Sequence, residues 1–152
     1  MNVEHGASIF VTDGRKALFL RNDGDSDYPN LRLAHKWEAP VPAARDLRSD
    51  APGRVFSSQP GSARRSSYDE GDGHEQAEAE FAEGIANFMN EHAPQEGSKQ
   101  IILVAPPRAL GVVRKHLDVD VSKRITAEIP KDLVKHPIPA IERLLASYAR
   151  PA

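Results

Sequence analysis

The sequence predicts an α/β domain in which one mixed five-stranded sheet carries helices on both faces. Three observations predict it. An Asp13-Gly14 pair lies between two apolar runs, the mark of a tight antiparallel hairpin. The run "IILVA" (101–105) stops at two prolines and gives way to apolar residues at helical spacing, as where a buried strand feeds a helix. A further strand-like stretch and a further helix-like stretch then follow in turn, the alternation that builds parallel strands into a sheet.

The stretch "ASIFVTDGRKALFLR" (7–21) supplies two strands around Asp13-Gly14, and the turn-rich "NDGDSDYPN" (22–30) leads to a third. There Leu31, Leu33, His35 and Trp37 alternate with Arg32, Ala34, Lys36 and Glu38, the period of a half-buried strand. Residues 39–73, rich in Pro, Gly, Ser and Arg, predict a long flexible loop. Asp72 and Glu75 form a capping box that opens the first helix, whose inner face is expected at Ala77, Phe81, Ile85, Phe88 and His92, with Pro94 and Gly97 as its end.

After the fourth strand, Pro106 suits a first helical turn because its amide would lack a partner there. Leu110, Val113 and Leu117 mark that helix's inner face. "KRITAEIP" (123–130) places Ile125, Ala127 and Ile129 on one side of a fifth strand, and a last helix faces inward through Ile141, Leu144, Leu145 and Tyr148. The order β-β-β-α-β-α-β-α is that of the ribonuclease-H-like fold.

Composition narrows the chemistry. At 152 residues, 39% of them hydrophobic and 28% charged, the chain is expected to form one domain, 1–152, with a core of its own. It has no cysteine, so thiolate metal sites, disulfides and cysteine nucleophiles are closed. The N-terminal residues lack a signal-peptide pattern and no apolar run reaches membrane-spanning length, so a cytoplasmic protein without membrane insertion is expected. A net charge of -2 argues against indiscriminate nucleic-acid binding, yet the charge is unevenly placed. Arg45, Arg48, Arg54, Arg64 and Arg65 share one stretch, and Asp69, Glu70, Asp72, Glu75, Glu78, Glu80 and Glu83 follow with no Lys or Arg among them.

Nucleases of the ribonuclease-H-like fold hold two metal ions on carboxylates from the first strand, the first helix, the end of the fourth strand and the last helix. Asp13, Glu78, Glu80, Glu83 and Glu142 stand at matching places, but the fourth strand ends in Ala105-Pro106-Pro107. Without that carboxylate no metal site is expected. The six histidines are spread singly with no zinc spacing, "DSDYPN" lacks the glycine and distal glutamate of a calcium loop, and no Gly-rich phosphate loop occurs. No cofactor is expected.

Arg108, beyond a strand end and beside a helix start, is a candidate for meeting an anion. Asp13 is read as a turn residue or a functional group, Lys131 and Asp132 as a turn cap or ligand groups, and Trp37 as a core residue or a stacking platform.

"RDLRSDAPGRVFSS" (45–58), "HEQAEAEFAEGIANFM" (74–89), "ILVAPPRALGVVRKHL" (102–117), "AEIPKDLVKH" (127–136) and the early "VTDGRKALF" together resemble the bacterial host-attachment proteins, a family described as required for attachment to host cells. That family is in turn similar to the middle domain of archaeal and eukaryotic class I translation release factors. Release factors carry a Gly-Gly-Gln tripeptide before their first long helix, where it helps water attack peptidyl-tRNA. The matching stretch here reads Ser57-Ser58-Gln59-Pro60-Gly61, with no glycine pair before Gln59 and with Pro60 forcing Gln59 toward extended backbone.

The resemblance therefore implies a non-enzymatic factor that contacts the ribosome or tRNA through Arg45, Arg48, Arg54, Gln59, Arg64 and Arg65, with Arg108 as a further contact. The alternative is a protein-interaction factor in host attachment, bound to an unidentified protein and making no nucleic-acid contact.

Overall fold

The structure, a computed structural model, describes residues 1–39, 60–96 and 100–148, with backbone alone at 60–72, 74, 95 and 96. Five strands, β1 (Ser8–Thr12), β2 (Lys16–Asn22), β3 (Leu31–Glu38), β4 (Ile101–Val104) and β5 (Ile125–Ile129), form one sheet in the order β3-β2-β1-β4-β5. β2 is antiparallel to both neighbours, while β1, β4 and β5 are parallel. The predicted mixed sheet is present, and helices cover both of its faces.

Ile9, Val11, Leu18, Leu20, Ile102, Val104, Ala127 and Ile129 point to one face, where α4 (Ile138–Ser147) buries Ile141 and Leu145. Leu144 and Tyr148 pack at its margin as the sequence predicts. Phe10, Ala17, Phe19, Ile101 and Leu103 point to the other face, under α1 (Pro60–Glu96), α2 (Pro107–His116) and the short α3 (Val119–Arg124). Each large side chain fully buried in these layers contributes ~1.5–3 kcal/mol over leaving it in water. Among the described residues, no helix is long and apolar enough to cross a membrane.

The first helix departs from expectation at both its start and its face. It begins at Pro60, so residues 60–73 of the predicted loop are helical, and residues 40–59 lie outside those described. Gly71 and Gly73 in a helix each cost ~1 kcal/mol relative to alanine, which is why local signals point to Asp72 as the start. Extension of a helix already anchored downstream needs no new nucleus, and Pro60 suits a first helical position.

The buried face of α1 is Ala82, Ile85, Ala86, Met89 and Ala93, with Phe81, Phe88 and His92 half-buried at its flank and Ala77 exposed. The alanines let the helix axis approach the sheet closely, and the bulky rings are accommodated beside the line of contact. The helix ends at Glu96 with Pro94 inside its last turn, close to the predicted stop.

Two β-bulges overturn the predicted strand faces. In β3, Phe19 pairs with His35 but Leu20 pairs with Leu33, so Ala34 is an extra residue. Leu31 and Leu33 therefore face the α4 side, while His35 and Trp37 face α1. In β5, Ile101 pairs with Ile125 and Ile102 with Ala127, which makes Thr126 the extra residue and turns Ile125 away from Ala127 and Ile129. The strict period of two inferred from sequence fails at both places because an inserted residue inverts every side chain beyond it.

The hairpin closes at Asp13-Gly14 as predicted, but through three residues, Asp13-Gly14-Arg15, rather than two. Asp13 Oδ1 accepts 2.9 Å hydrogen bonds from the N–H groups of Arg15 and Lys16, and Gly14 takes a φ of 95°, a conformation that favours glycine. The next turn is organised by buried Asn22, whose Oδ1 accepts from the N–H groups of Gly24 and Asn30 at 2.9 and 2.8 Å while its Nδ2 donates to Val3 O at 2.8 Å.

Candidate functional site

The parallel strands β1 and β4 end side by side, and Gly14, Pro106 and Arg108 follow directly from them. Opposite stands α1, drawn close enough that a Cβ on Gly14 would lie 3.3 Å from Glu78 Cβ. Between these elements is a cleft of about 390 Å³, with Asp13, Glu75, Glu78 and Arg108 as its charged lining and Ala79, Pro106, Ala109 and Val112 as its apolar lining. Ligands of α/β sheets gather at such strand ends.

The charges in the cleft are matched in pairs. Arg108 Nη1 stands 3.1 Å from Glu75 Oε1, and Arg15 Nε stands 3.7 Å from Glu78 Oε2. Asp13 spends one carboxylate oxygen on the backbone of the hairpin. Arg108 is where the sequence predicts it, but its described partner is a side chain of α1. Local sequence signals do not show this pairing, since Glu75 and Arg108 meet only through the docking of α1 on the sheet.

The described residues do not assemble the carboxylate cluster of a ribonuclease-H-like nuclease. No group of three or more His, Cys, Asp or Glu among them is placed to hold a metal ion. Ala105 and Pro106 follow β4, and Glu142 lies on the other face of the sheet, where its Oε2 accepts from Leu31 N at 2.8 Å. Leu31 begins β3 opposite Asn22 at the end of β2, so Glu142 lies at the opposite end of the sheet from Asp13, which follows the end of β1.

Of the other candidates, Lys131 carries its ammonium over the Tyr148 ring at 5.9 Å, on the α4 side of the sheet, and its N–H closes a turn on Ile129 O at 2.9 Å. Asp132 is exposed beside it. Arg64 and Arg65 fall within the first turns of α1, about 15 Å along the helix axis from Glu75. Arg45, Arg48, Arg54 and Gln59 lie outside the described residues. The start of α1 at Pro60 nonetheless makes Gln59 the residue immediately before the long helix.

A second cluster joins Trp37, a core or stacking candidate in the sequence, to aromatic residues of α1. His35 and Trp37 stack at 5.3 Å on β3, and Phe88 of α1 meets both edge-on, with centroids 5.4 and 4.6 Å away. His92 stacks on Phe88 at 3.9 Å. Its sequence signals are the spacing of Phe88 and His92, one turn apart, and of His35 and Trp37, two residues apart on one strand; their meeting across helix and sheet is not written locally.

Residues 7–145, from the start of β1 into the last helix, match the model of Bacterial archaeo-eukaryotic release factor family 12. The chain belongs to that family. The match embraces the cleft, the long helix and every strand, so the release-factor-like part of the predicted resemblance holds. A stretch of 51 residues is also 45% identical to "Uncharacterized protein RP470" of Rickettsia prowazekii (strain Madrid E). That match covers 34% of this chain and 34% of the Rickettsia protein.

Proposed function

We propose that this member of release factor family 12 is a non-catalytic, cytoplasmic binding factor that contacts RNA, as tRNA or within the ribosome, through the arginine-bearing segment 45–65. The observation that carries the reading is the family match across residues 7–145. The start of α1 supports it further. With the helix beginning at Pro60, the chain just before the first long helix, which bears the catalytic tripeptide in release factors, is here Ser57-Ser58-Gln59. Arg54 precedes it and Arg64 and Arg65 follow it. Arginine pairs with phosphate through a planar fork of donors and stacks on bases, so this segment keeps a means of holding RNA while lacking the glycine pair.

The non-catalytic part is supported by the cleft. Glu75 and Glu78 face arginines, Asp13 holds a turn, and Ala105 and Pro106 stand past β4 where a nuclease would place a carboxylate.

Salt dependence tests the reading. Each phosphate contact steepens the logarithmic salt slope of single-stranded RNA affinity by ~0.7. Replacing Arg54, Arg64 and Arg65 by alanine is expected to flatten the slope by about two units. An unchanged slope would transfer the reading to a protein partner, as in the host-attachment alternative. Magnesium-dependent RNA cleavage that Asp13→Asn abolishes would overturn the non-catalytic claim. That substitution keeps an acceptor oxygen for Arg15 and Lys16, so loss of folding would not account for such a result.

A further inference from the structure

We propose that the β3 edge of the sheet, which has no further strand beyond it among the described residues, carries a base-stacking site for single-stranded RNA, built from the His35–Trp37 stack with Arg32 beside it. The inference rests on the RNA-binding reading above and adds a contact outside the arginine segment.

Among the described residues β3 is the last strand of the sheet on its side, and the bulge at Ala34 decides what it displays. Beyond the bulge, His35 and Trp37 turn to the α1 face. A graded row of rings results. Phe10 and Phe19 stack in the core at 4.6 Å, Phe88 and Trp37 are half-buried next to them, and His35 is exposed at the outer end. The His35 and Trp37 planes lie within 16° of each other, and Phe88 braces both rings edge-on at 68° and 71°. The pair is thus held as a flat, fixed surface. Core formation accounts for Phe88 and Trp37, which bury area, but not for an exposed imidazole laid flat on the indole.

Charge on the same face selects the partner. Arg32 pairs in register with Arg21, and both lie on the face that carries Phe19 and His35, since cross-strand partners share a face. The Arg32 side chain is 68% exposed and meets Asp23 at 3.7 Å. An exposed pair of this kind is weak, so a phosphate can compete for the guanidinium. A fixed aromatic surface next to arginine is the combination by which proteins hold single-stranded nucleic acid, with bases on the rings and phosphates on the cations. A peptide strand added to the edge is disfavoured, because the bulge breaks the regular ladder such a strand needs.

Trp37 is the only tryptophan of the chain, so its emission reports this site alone. The intact protein is titrated at low salt with labelled single-stranded oligouridylate and oligoadenylate, following RNA anisotropy and tryptophan emission together. Saturable quenching that tracks binding is expected. His35→Ala is expected to weaken binding about tenfold, and His35→Phe, which keeps a flat ring, to restore it to within about threefold. The Arg54, Arg64 and Arg65 alanine variant is expected to alter the salt slope and leave the quenching amplitude in place.

Binding that responds to those arginines but neither quenches Trp37 nor weakens in His35→Ala would overturn the stacking site and leave the arginine reading standing. Absence of RNA binding at low salt would overturn both. Equal loss of affinity in His35→Ala and His35→Phe would also count against stacking.

Discussion

The carboxylate of Glu142 accepts a 2.8 Å hydrogen bond from the backbone N–H of Leu31, 111 residues earlier in the chain. Leu31 opens the edge strand β3 and is itself buried, and α4 supplies the acceptor its amide needs. One contact thereby ties the last helix to the first half of the sheet. It also explains why a glutamate at this position is useful without any metal to bind.

Removing the acceptor with Glu142→Ala is expected to lower stability by about 1–2 kcal/mol, because it leaves a partly buried amide unpaired. Glu142→Gln keeps an acceptor oxygen and is expected to lose less than half as much. Urea midpoints of the two variants provide the comparison, and equal losses would show that charge rather than the hydrogen bond matters.

Deletion of Ala34 would remove the β3 bulge and leave Leu33 opposite Leu20 and His35 opposite Phe19, so His35 and Trp37 are expected to keep the α1 face beside Phe88. Trp37 emission is therefore expected to change little in the deletion variant, as in Ala34→Gly, which retains the residue count. A red-shifted Trp37 spectrum in the deletion variant would show that β3 re-registers against β2 and turns Trp37 away from Phe88.

Gly14 combines a φ of 95° with a neighbour, Glu78 Cβ, 3.3 Å from where its own Cβ would be. Gly14→Ala is expected to cost about 1–2 kcal/mol, from backbone strain and crowding together. Pairing it with Glu78→Ala separates the two causes in a double-mutant cycle. Relief of the crowding part alone is expected; complete relief would mean that the backbone conformation is not strained.

Arg114 on α2 pairs with Glu128 on β5. The hydrogen bond to Glu128 and then its charge raise the Arg114 pKa. A pKa raised by folding adds stability that is fully present below the unfolded value and is lost only as pH rises through the folded one. For arginine both values lie beyond the ordinary working range, so this shift adds no pH slope between about pH 6 and 10. With the Arg114 side chain 56% exposed, Glu128→Gln is expected to lose under ~1 kcal/mol, equally at pH 6 and 9 and less at high salt. Thermal melts at the two pH values check it, and a difference between them would assign the pair a titrating partner.

Local sequence was enough to set the five strands, the three longer helices, their order and most of the core, but not the short α3 between α2 and β5. The Asp13-Gly14 turn, the apolar run Ile101 to Ala105 and the inward residues Leu110, Val113, Ile141 and Leu145 act through local backbone preference and hydrophobic periodicity, both of which are written in neighbouring residues. Only the tertiary structure decided the length of α1, the two bulges and the partners of Arg108 and Glu142. The early turns of α1 belong to a helix anchored far downstream, at Ala82 to Ala93. A bulge exists only relative to the strand across from it, so no local pattern marks Ala34 or Thr126. Arg108 meets Glu75, and His35 and Trp37 meet Phe88, because helix and sheet dock in one register; such contacts depend on the whole chain having folded.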